Sequence, residues 1–244
     1  MIAIDDLVVR YPGDRPPAVD GLTLAVPEGR FCGFLGPNGA GKSTTLAALL
    51  GLVKRASGRV AVAGIDPESD PDRLRAVVGY VPQAIALHAT LGVRENLVIL
   101  GGLAGLSGKV LRERVARAIR DARLEGREKS RVGALSGGMQ RRLNLVASLL
   151  HDPRLILCDE PTAGVDPQSR TFIYEMLRGL NAAGRTILYT THYLGEVEAL
   201  CSHVAIIDRG RLVAHGALAD LLAGRSLEEV FLSLTGHALR DDEE

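Results

Sequence analysis

The chain has 244 residues, of which 46% are hydrophobic and 24% charged, with 29 basic residues against 29 acidic ones. This is the balance of an ordinary globular protein with one substantial core, or one core and a lobe. The formal net charge of zero gives no bulk argument for nucleic acid as the main partner.

Ile2, Ile4, Leu7 and Val9 read as one or two edge strands, and Leu22, Leu24 and Val26 alternate cleanly behind the turn residues Tyr11–Asp14 and Pro16-Pro17. An antiparallel amino-terminal sheet is expected. Phe31–Leu35 is a short apolar strand that runs into a glycine loop, Ser43–Leu50 reads as a helix ending at Gly51, and Arg59–Ala63 as a strand closed by a turn at Gly64. Val77–Val81 reads as a strand ending at Pro82-Gln83. From there to about Leu150 the chain turns helical and arginine-rich. Ser107 is placed to cap a helix whose apolar stripe is Val110, Val115, Ala118, Ile119 and Ala122, with Arg112, Arg117, Arg120 and Arg123 opposite. Those arginines read as a solvated face rather than a lipid-binding one. A second helix runs from Gly138 with Leu143, Val146, Ala147 and Leu150 on one face.

Strands and helices then alternate: Leu155–Cys158, Gln168–Leu180, Thr186–Thr190, Gly195–Ala199, Val204–Ile207 and Arg211–Ala214. Short buried strands in alternation with helices predict an α/β fold with a mostly parallel sheet. All of 1–244 is read as a single domain. Residues 1–86 and 152–220 form its core with the antiparallel part, 87–151 an inserted helical lobe, and 221–244 a helical extension with the acidic tail Asp241–Glu244. Cys32, Cys158 and Cys201 are widely spaced and form no metal-ligand pattern, as expected of buried thiols in a reducing compartment. Met1–Asp6 does not read as a signal peptide. No apolar run approaches the roughly 18 residues that span a bilayer. The expectation is a soluble chain whose membrane role comes through a partner.

The chemistry concentrates in four places. Gly36-Pro37-Asn38-Gly39-Ala40-Gly41-Lys42-Ser43 is a full G-x-x-x-x-G-K-S/T loop between strand and helix, the context that validates this motif. Its glycines let backbone N–H groups turn inward around phosphate, and the helix that follows aims its positive end at the same anion. Lys42 is assigned to the β- and γ-phosphates and Ser43 to Mg²⁺, with Thr44 beside it on the nucleotide. Leu155–Cys158 delivers Asp159 and Glu160 to a carboxyl-terminal strand edge, where open α/β sheets bind ligands. Asp159 is expected to organise Mg²⁺ through its waters, and Glu160 to polarise the attacking water as general base or orienter.

Gln83 and His192 also follow strands, which suits Gln83 to a metal or water contact and His192 to the γ-phosphate or attacking water. Ser136-Gly137-Gly138 opens an amphipathic helix and forms a second anion site. One nucleotide needs both sites only if it is sandwiched, so a dimer is expected in which each copy completes the other's site.

On these residues the chain resembles the ATP-binding cassette (ABC) ATPases over nearly its full length. Gly36–Ser43 looks like Walker A, Leu155–Glu160 like Walker B, Leu135–Gln140 like the family signature, Gln83 like the Q-loop, Ala163–Asp166 like the D-loop and His192 like the switch histidine. The resemblance implies a P-loop NTPase core with ATP and Mg²⁺ as ligands. It also implies Asp166 as a nucleotide-site residue and Tyr11 as the aromatic that stacks on adenine. Leu227–Gly236 and Tyr193–Glu198 are similar to ATPase subunits of multidrug- and polyketide-type exporters. Those work beside a separate permease at the cytoplasmic face of the membrane, as a pair of ATPase subunits, here expected to be a homodimer. Gly92 stands where a threonine is more usual, which weakens the expected helix cap in a region expected to face the permease. Ser202 replaces a common aspartate.

The competing readings are a soluble cassette ATPase acting on nucleic acid or the ribosome, and a small-molecule P-loop kinase. The first lacks the long coiled coil or second cassette expected of such proteins. The second has no use for Ser136-Gly137-Gly138. No Asn-Lys-x-Asp element marks a guanine-specific site.

Overall fold

The computed structural model describes residues 1–13 and 16–236. The described chain runs β1 (Ile2–Val9), β2 (Val19–Val26), β3 (Phe31–Leu35), α1 (Lys42–Leu49), β4 (Ser57–Val62), α2 (Pro71–Val77), β5 (Val78–Val81), α3 (Val93–Leu103), α4 (Gly108–Asp121), α5 (Gly137–Ala147), β6 (Leu155–Asp159), α6 (Pro167–Ala182), β7 (Thr186–Thr191), α7 (Leu194–Leu200), β8 (His203–Asp208), β9 (Arg211–Ala217), α8 (Leu218–Leu222) and α9 (Leu227–Thr235). It divides into two compact units, Met1–Leu74 with the described part of Asn181–Glu244, and Arg75–Leu180. The acidic tail and Asp14 lie outside the described residues.

In the first unit β1 pairs antiparallel with both β2 and β4, in the order β2-β1-β4. It is therefore a central strand, not the expected edge. Its apolar residues fall at positions 2, 4, 7 and 9, which breaks strict alternation. The register slips between Ile4 and Leu7, where Asp6 adopts φ 49°. This bulge keeps all four residues facing the core at 3% exposure or less. Gly58 lies against the bulge; a Cβ there would meet the Asp6 carbonyl at 2.3 Å.

The second sheet of this unit sets β3 between β7 and β8, parallel to both, with β9 antiparallel on β8. Every residue of β3 and β7 is buried. That is why neither shows the alternation of a half-exposed strand: β3 is apolar throughout, and β7 sets Ile187–Tyr189 between buried threonines. Cys32 and Cys201 belong to this core, and burial pushes the Cys32 thiol up to about 12.

In the second unit β5 and β6 pair in parallel, Val78 opposite Leu155 and Val81 opposite Cys158. Val77 ends α2 instead of starting the strand. Helices α3, α4 and α5 close on one apolar cluster that includes Val93, Leu97, Val115, Ile119, Leu143 and Val146. Ser107 occupies the capping position of α4 but makes no side-chain cap bond. Val110, expected on the buried stripe, is 53% exposed, because the first turn of α4 runs past the cluster. Arg112, Arg117, Arg120 and Arg123 are exposed. Arg117 and Arg123 pair with Asp121 and Glu175 at 3.4 and 3.8 Å, surface ion pairs that each contribute about 0–1 kcal/mol.

Helix α3 carries Gly101 and Gly102, which hide its helical pattern. It starts at Gly92 without a hydroxyl cap. The Glu95 carboxylate accepts the Gly92 N–H at 2.7 Å, and the Asn96 amide, wholly buried, donates to the carbonyls of His88 and Gly92. The first two N–H groups of the helix, those of Val93 and Arg94, donate to the carbonyls of Ser130 at 3.1 Å and Glu128 at 3.0 Å, so the missing threonine costs little.

Candidate functional site

In the first unit β3 delivers the chain into Gly36–Ser43. Gly36 donates to the Thr191 carbonyl at 3.4 Å, and Ala40 to the Pro37 carbonyl at 3.1 Å. The loop tolerates no side chain at its two framing glycines. A Cβ on Gly36 would lie 2.3 Å from the Ile207 carbonyl oxygen. One on Gly41, at φ 103°, would lie 2.5 Å from that of Ala18. Gly210 in turn donates to the Ala40 carbonyl at 2.9 Å. The loop is therefore braced from behind by β8, by the turn before β9 and by the entry to β2, and its N–H groups are held in place before any anion arrives.

Lys42 is 5% exposed, and its ammonium donates to the carbonyls of Gly36 at 2.7 Å and Pro37 at 3.2 Å. The charge is thereby held over the loop. Asn38, Gly39 and Ser43 are exposed. Tyr11 is 47% exposed with its hydroxyl 3.5 Å from Thr44 Oγ1, so an aromatic face stands free beside α1. His192 follows β7, half-buried, its ring 4.0 Å between centroids from that of Tyr193.

In the second unit the fully buried β6 ends in Asp159 and then Glu160, 5% and 9% exposed. Glu160 has φ 43°, the left-handed region, a conformation that costs a non-glycine residue on the order of 1–3 kcal/mol and clusters at functional sites. Gln83, beyond the end of β5, places its amide Nε2 3.5 Å from Glu160 Oε2. Sequence reasoning passed over Tyr80. Its hydroxyl bonds Asp159, and burial with that carboxylate beside it pushes the phenol up to about 12. It is therefore a neutral donor throughout the physiological range.

Helix α5 holds the rest. Ser136 caps it, accepting the Met139 N–H at 3.3 Å. Ser136 and Gly137 are exposed, whereas Gly138 is buried. A Cβ on Gly137 would meet nothing within 4 Å. One on Gly138 would lie 1.9 Å from Ser169 Oγ and 2.6 Å from Asp166 Oδ2. Asp166 caps α6, accepting the Ser169 N–H at 2.9 Å, a bond that holds its carboxyl below the usual range. The Arg141 guanidinium donates to the carbonyls of Gln83 and Ala163, the latter at 3.0 Å. Asn144 accepts the Ala86 N–H at 3.0 Å. So α5 grips both the segment after Gln83 and the segment before Asp166. Asn144, a polar residue between Leu143 and Leu145 on an apolar helix, was the one signal of this in the sequence; Arg141 carried none.

Residues 19–163 match the family model described as ABC transporter. The linearmycin resistance ATP-binding protein of Bacillus subtilis is 43% identical over 83% of this chain and 65% of its own length. A Nod factor export ATP-binding protein of Cupriavidus metallidurans is 47% identical over 84% of this chain and 67% of its own length. The chain thus spans about two thirds of these curated relatives. Among solved structures, an ATP binding subunit of an ABC transporter superposes with a TM-score of 0.86 at 31% identity, over 96% of this chain and 99% of that one. A dimeric ATP-binding cassette bound to ADP and Pi in a post-hydrolysis state gives 0.80 at 27% identity, over 89% of this chain and 99% of its own.

Proposed function

This chain belongs to the ABC transporter family, and we propose that within it the chain is the subunit that binds and hydrolyses ATP to power export through a separate membrane permease. One observation carries the reading. A braced loop whose two framing glycines have no room for a Cβ presents N–H groups and Lys42, and a buried strand of the same chain ends in Asp159 and a strained Glu160. The loop fits a polyphosphate, the carboxylates its hydrolysis.

In this mechanism the N–H groups of Gly36–Ser43 and the Lys42 ammonium take the β- and γ-phosphates. Tyr11 stacks on the base, and Thr44 lies beside it. Glu160 polarises the attacking water, while Gln83 and His192 sense the γ-phosphate and that water. Water attacks the γ-phosphorus, the bond to the bridging oxygen breaks, and ADP leaves. Ser136, Gly137, Gly138 and Asp166 of a second copy complete each site, so ATP closes a homodimer and hydrolysis reopens it. The dimeric cassette solved with ADP and Pi supports the pairing of two copies. The whole chain acts as one ATPase domain, residues 87–151 supplying the signature segment.

Hard oxygen donors suit Mg²⁺, which would be held by Ser43, Gln83 and, through water, the buried Asp159, and when bound neutralises charge on the phosphate oxygens. Tyr80 orients Asp159 from behind. Tyr80→Phe is therefore expected to raise the Mg²⁺ concentration for half-maximal ATPase by about tenfold, with turnover at saturating Mg²⁺ within about twofold of the parent. An unchanged Mg²⁺ titration would show that Asp159 is oriented without it.

Export is supported by the printed functions of the relatives, linearmycin resistance and Nod factor export. No helix among the described residues is long and apolar enough to cross a membrane, in keeping with a separate permease and a place at the cytoplasmic face beside it. The purified chain should release γ-labelled phosphate from ATP only to water. Its rate should rise on reconstitution with the permease and stay unchanged with DNA or ribosomes. Stimulation by nucleic acid or ribosomes alone would favour the soluble-cassette reading.

A further inference from the structure

His192 leaves the end of β7 between Thr191 and Tyr193. One carboxylate holds Thr191 directly, and Thr191 holds Tyr193. Glu196, in the first turn of α7, is 5% exposed, and its Oε2 accepts hydroxyl hydrogen bonds from Thr191 at 2.7 Å and Tyr189 at 3.0 Å. Tyr189 and Thr191 are themselves buried. An ionised carboxylate only accepts, so it commits the Thr191 hydroxyl proton to itself and leaves that oxygen's lone pairs for others. Thr191 Oγ1 in turn accepts the Tyr193 N–H at 2.9 Å. The Tyr193 ring then covers the imidazole, 4.0 Å between centroids. The main-chain carbonyl of the same Thr191 accepts the N–H of Gly36, where the phosphate loop begins. Thr191 is thus a junction. Its carbonyl ties the loop, its hydroxyl ties the residue after His192, and Glu196 fixes that hydroxyl.

We infer that Glu196, acting through Thr191, is the positioning residue that holds His192 at a set distance from the phosphate loop. The inference rests on the assignment of His192 to the γ-phosphate or attacking water. Charge-assisted bonds of this kind are short and strong, and misplacing a catalytic group by about an ångström costs up to a hundredfold in rate.

The test is a double-mutant cycle in steady-state ATPase. Glu196→Ala and Thr191→Val should each lower kcat by about tenfold to a hundredfold with the KM for ATP within about twofold. Glu196→Gln, which keeps an acceptor oxygen, should recover most of that loss. In a His192→Ala background neither substitution should lower kcat further. Thr191→Val preserves shape and serves if Glu196→Ala does not fold. Glu198→Gln, on the same helix but bonded to the Leu227 N–H of α9, should leave kcat unchanged. If His192→Ala is impaired and the losses multiply, or if Thr191→Val turns over at the parental rate, the positioning role is wrong. If His192→Ala itself turns over at the parental rate, the assignment of His192 fails and the inference falls with it.

Discussion

Glu160→Gln will bind ATP and accumulate as a nucleotide-bound dimer while its turnover falls by about two to four orders of magnitude. The substitution keeps volume and removes only the charge to which the proposed mechanism assigns the polarisation of water, a contribution of roughly 10²–10⁴ in rate. Three features of the structure make it a clean test. Glu160 is 9% exposed, so its replacement must fit the same space, which the amide does. Its backbone is already left-handed at φ 43°, a strain that glutamine bears equally, so stability should not change for that reason. Gln83 Nε2 lies 3.5 Å from Oε2 and keeps an oxygen to donate to in one amide orientation. In the proposed mechanism the substitution also removes a negative charge that would repel the terminal phosphate, which favours retention of ATP. Phosphate release and light scattering with ATP read the two effects separately. Parental turnover would remove Glu160 from the chemistry; loss of ATP binding would mean it serves the fold instead.

Gly138→Ala will lose about 1–3 kcal/mol of stability, and with it the geometry of the signature segment, whereas Gly137→Ala will not destabilise the fold. The two glycines are adjacent and look equivalent as donors at a helix start. Only Gly138 is enclosed. Its added Cβ falls 1.9 Å from Ser169 Oγ and 2.6 Å from Asp166 Oδ2, while that of Gly137 meets open space. Ser169 could rotate its hydroxyl away, but that hydroxyl bonds Asp166, whose Oδ1 caps α6. Rotation therefore gives up the hydroxyl bond and still leaves the added Cβ 2.6 Å from Asp166 Oδ2. Thermal denaturation of the two variants checks the contrast, and Ser169→Ala should partly restore Gly138→Ala by removing the nearest atom. Equal melting temperatures for the two glycine variants would mean that the segment 166–169 yields freely.

The glycine loop, the Asp159-Glu160 strand end, the signature and the positions of Gln83 and His192 were legible because their chemistry is local. A loop that must turn its N–H groups inward needs glycine at set intervals, and a strand buried in a parallel sheet is mostly apolar, so both leave a mark within about eight residues. The slip at Asp6 left a mark too, in apolar residues at 2, 4, 7 and 9, but the pattern fits two short strands as well as one bulged strand. Pairing with β4 on the far side decided it, and made β1 central.

What tertiary structure alone decided is the company these residues keep. Composition makes Glu196 one carboxylate among 29 acidic residues; burial against Tyr189 and Thr191 makes it the anchor behind His192. Tyr80 reads as a strand residue until its hydroxyl is found on Asp159. Arg141 reads as surface charge until it joins two carbonyls 80 residues apart in the chain, those of Gln83 and Ala163. Amino-acid order alone determined which groups this protein can bring to a phosphate. The packing of distant segments determined which of them are held rigid, because a side chain's partners are set by chain pairing that no local pattern encodes.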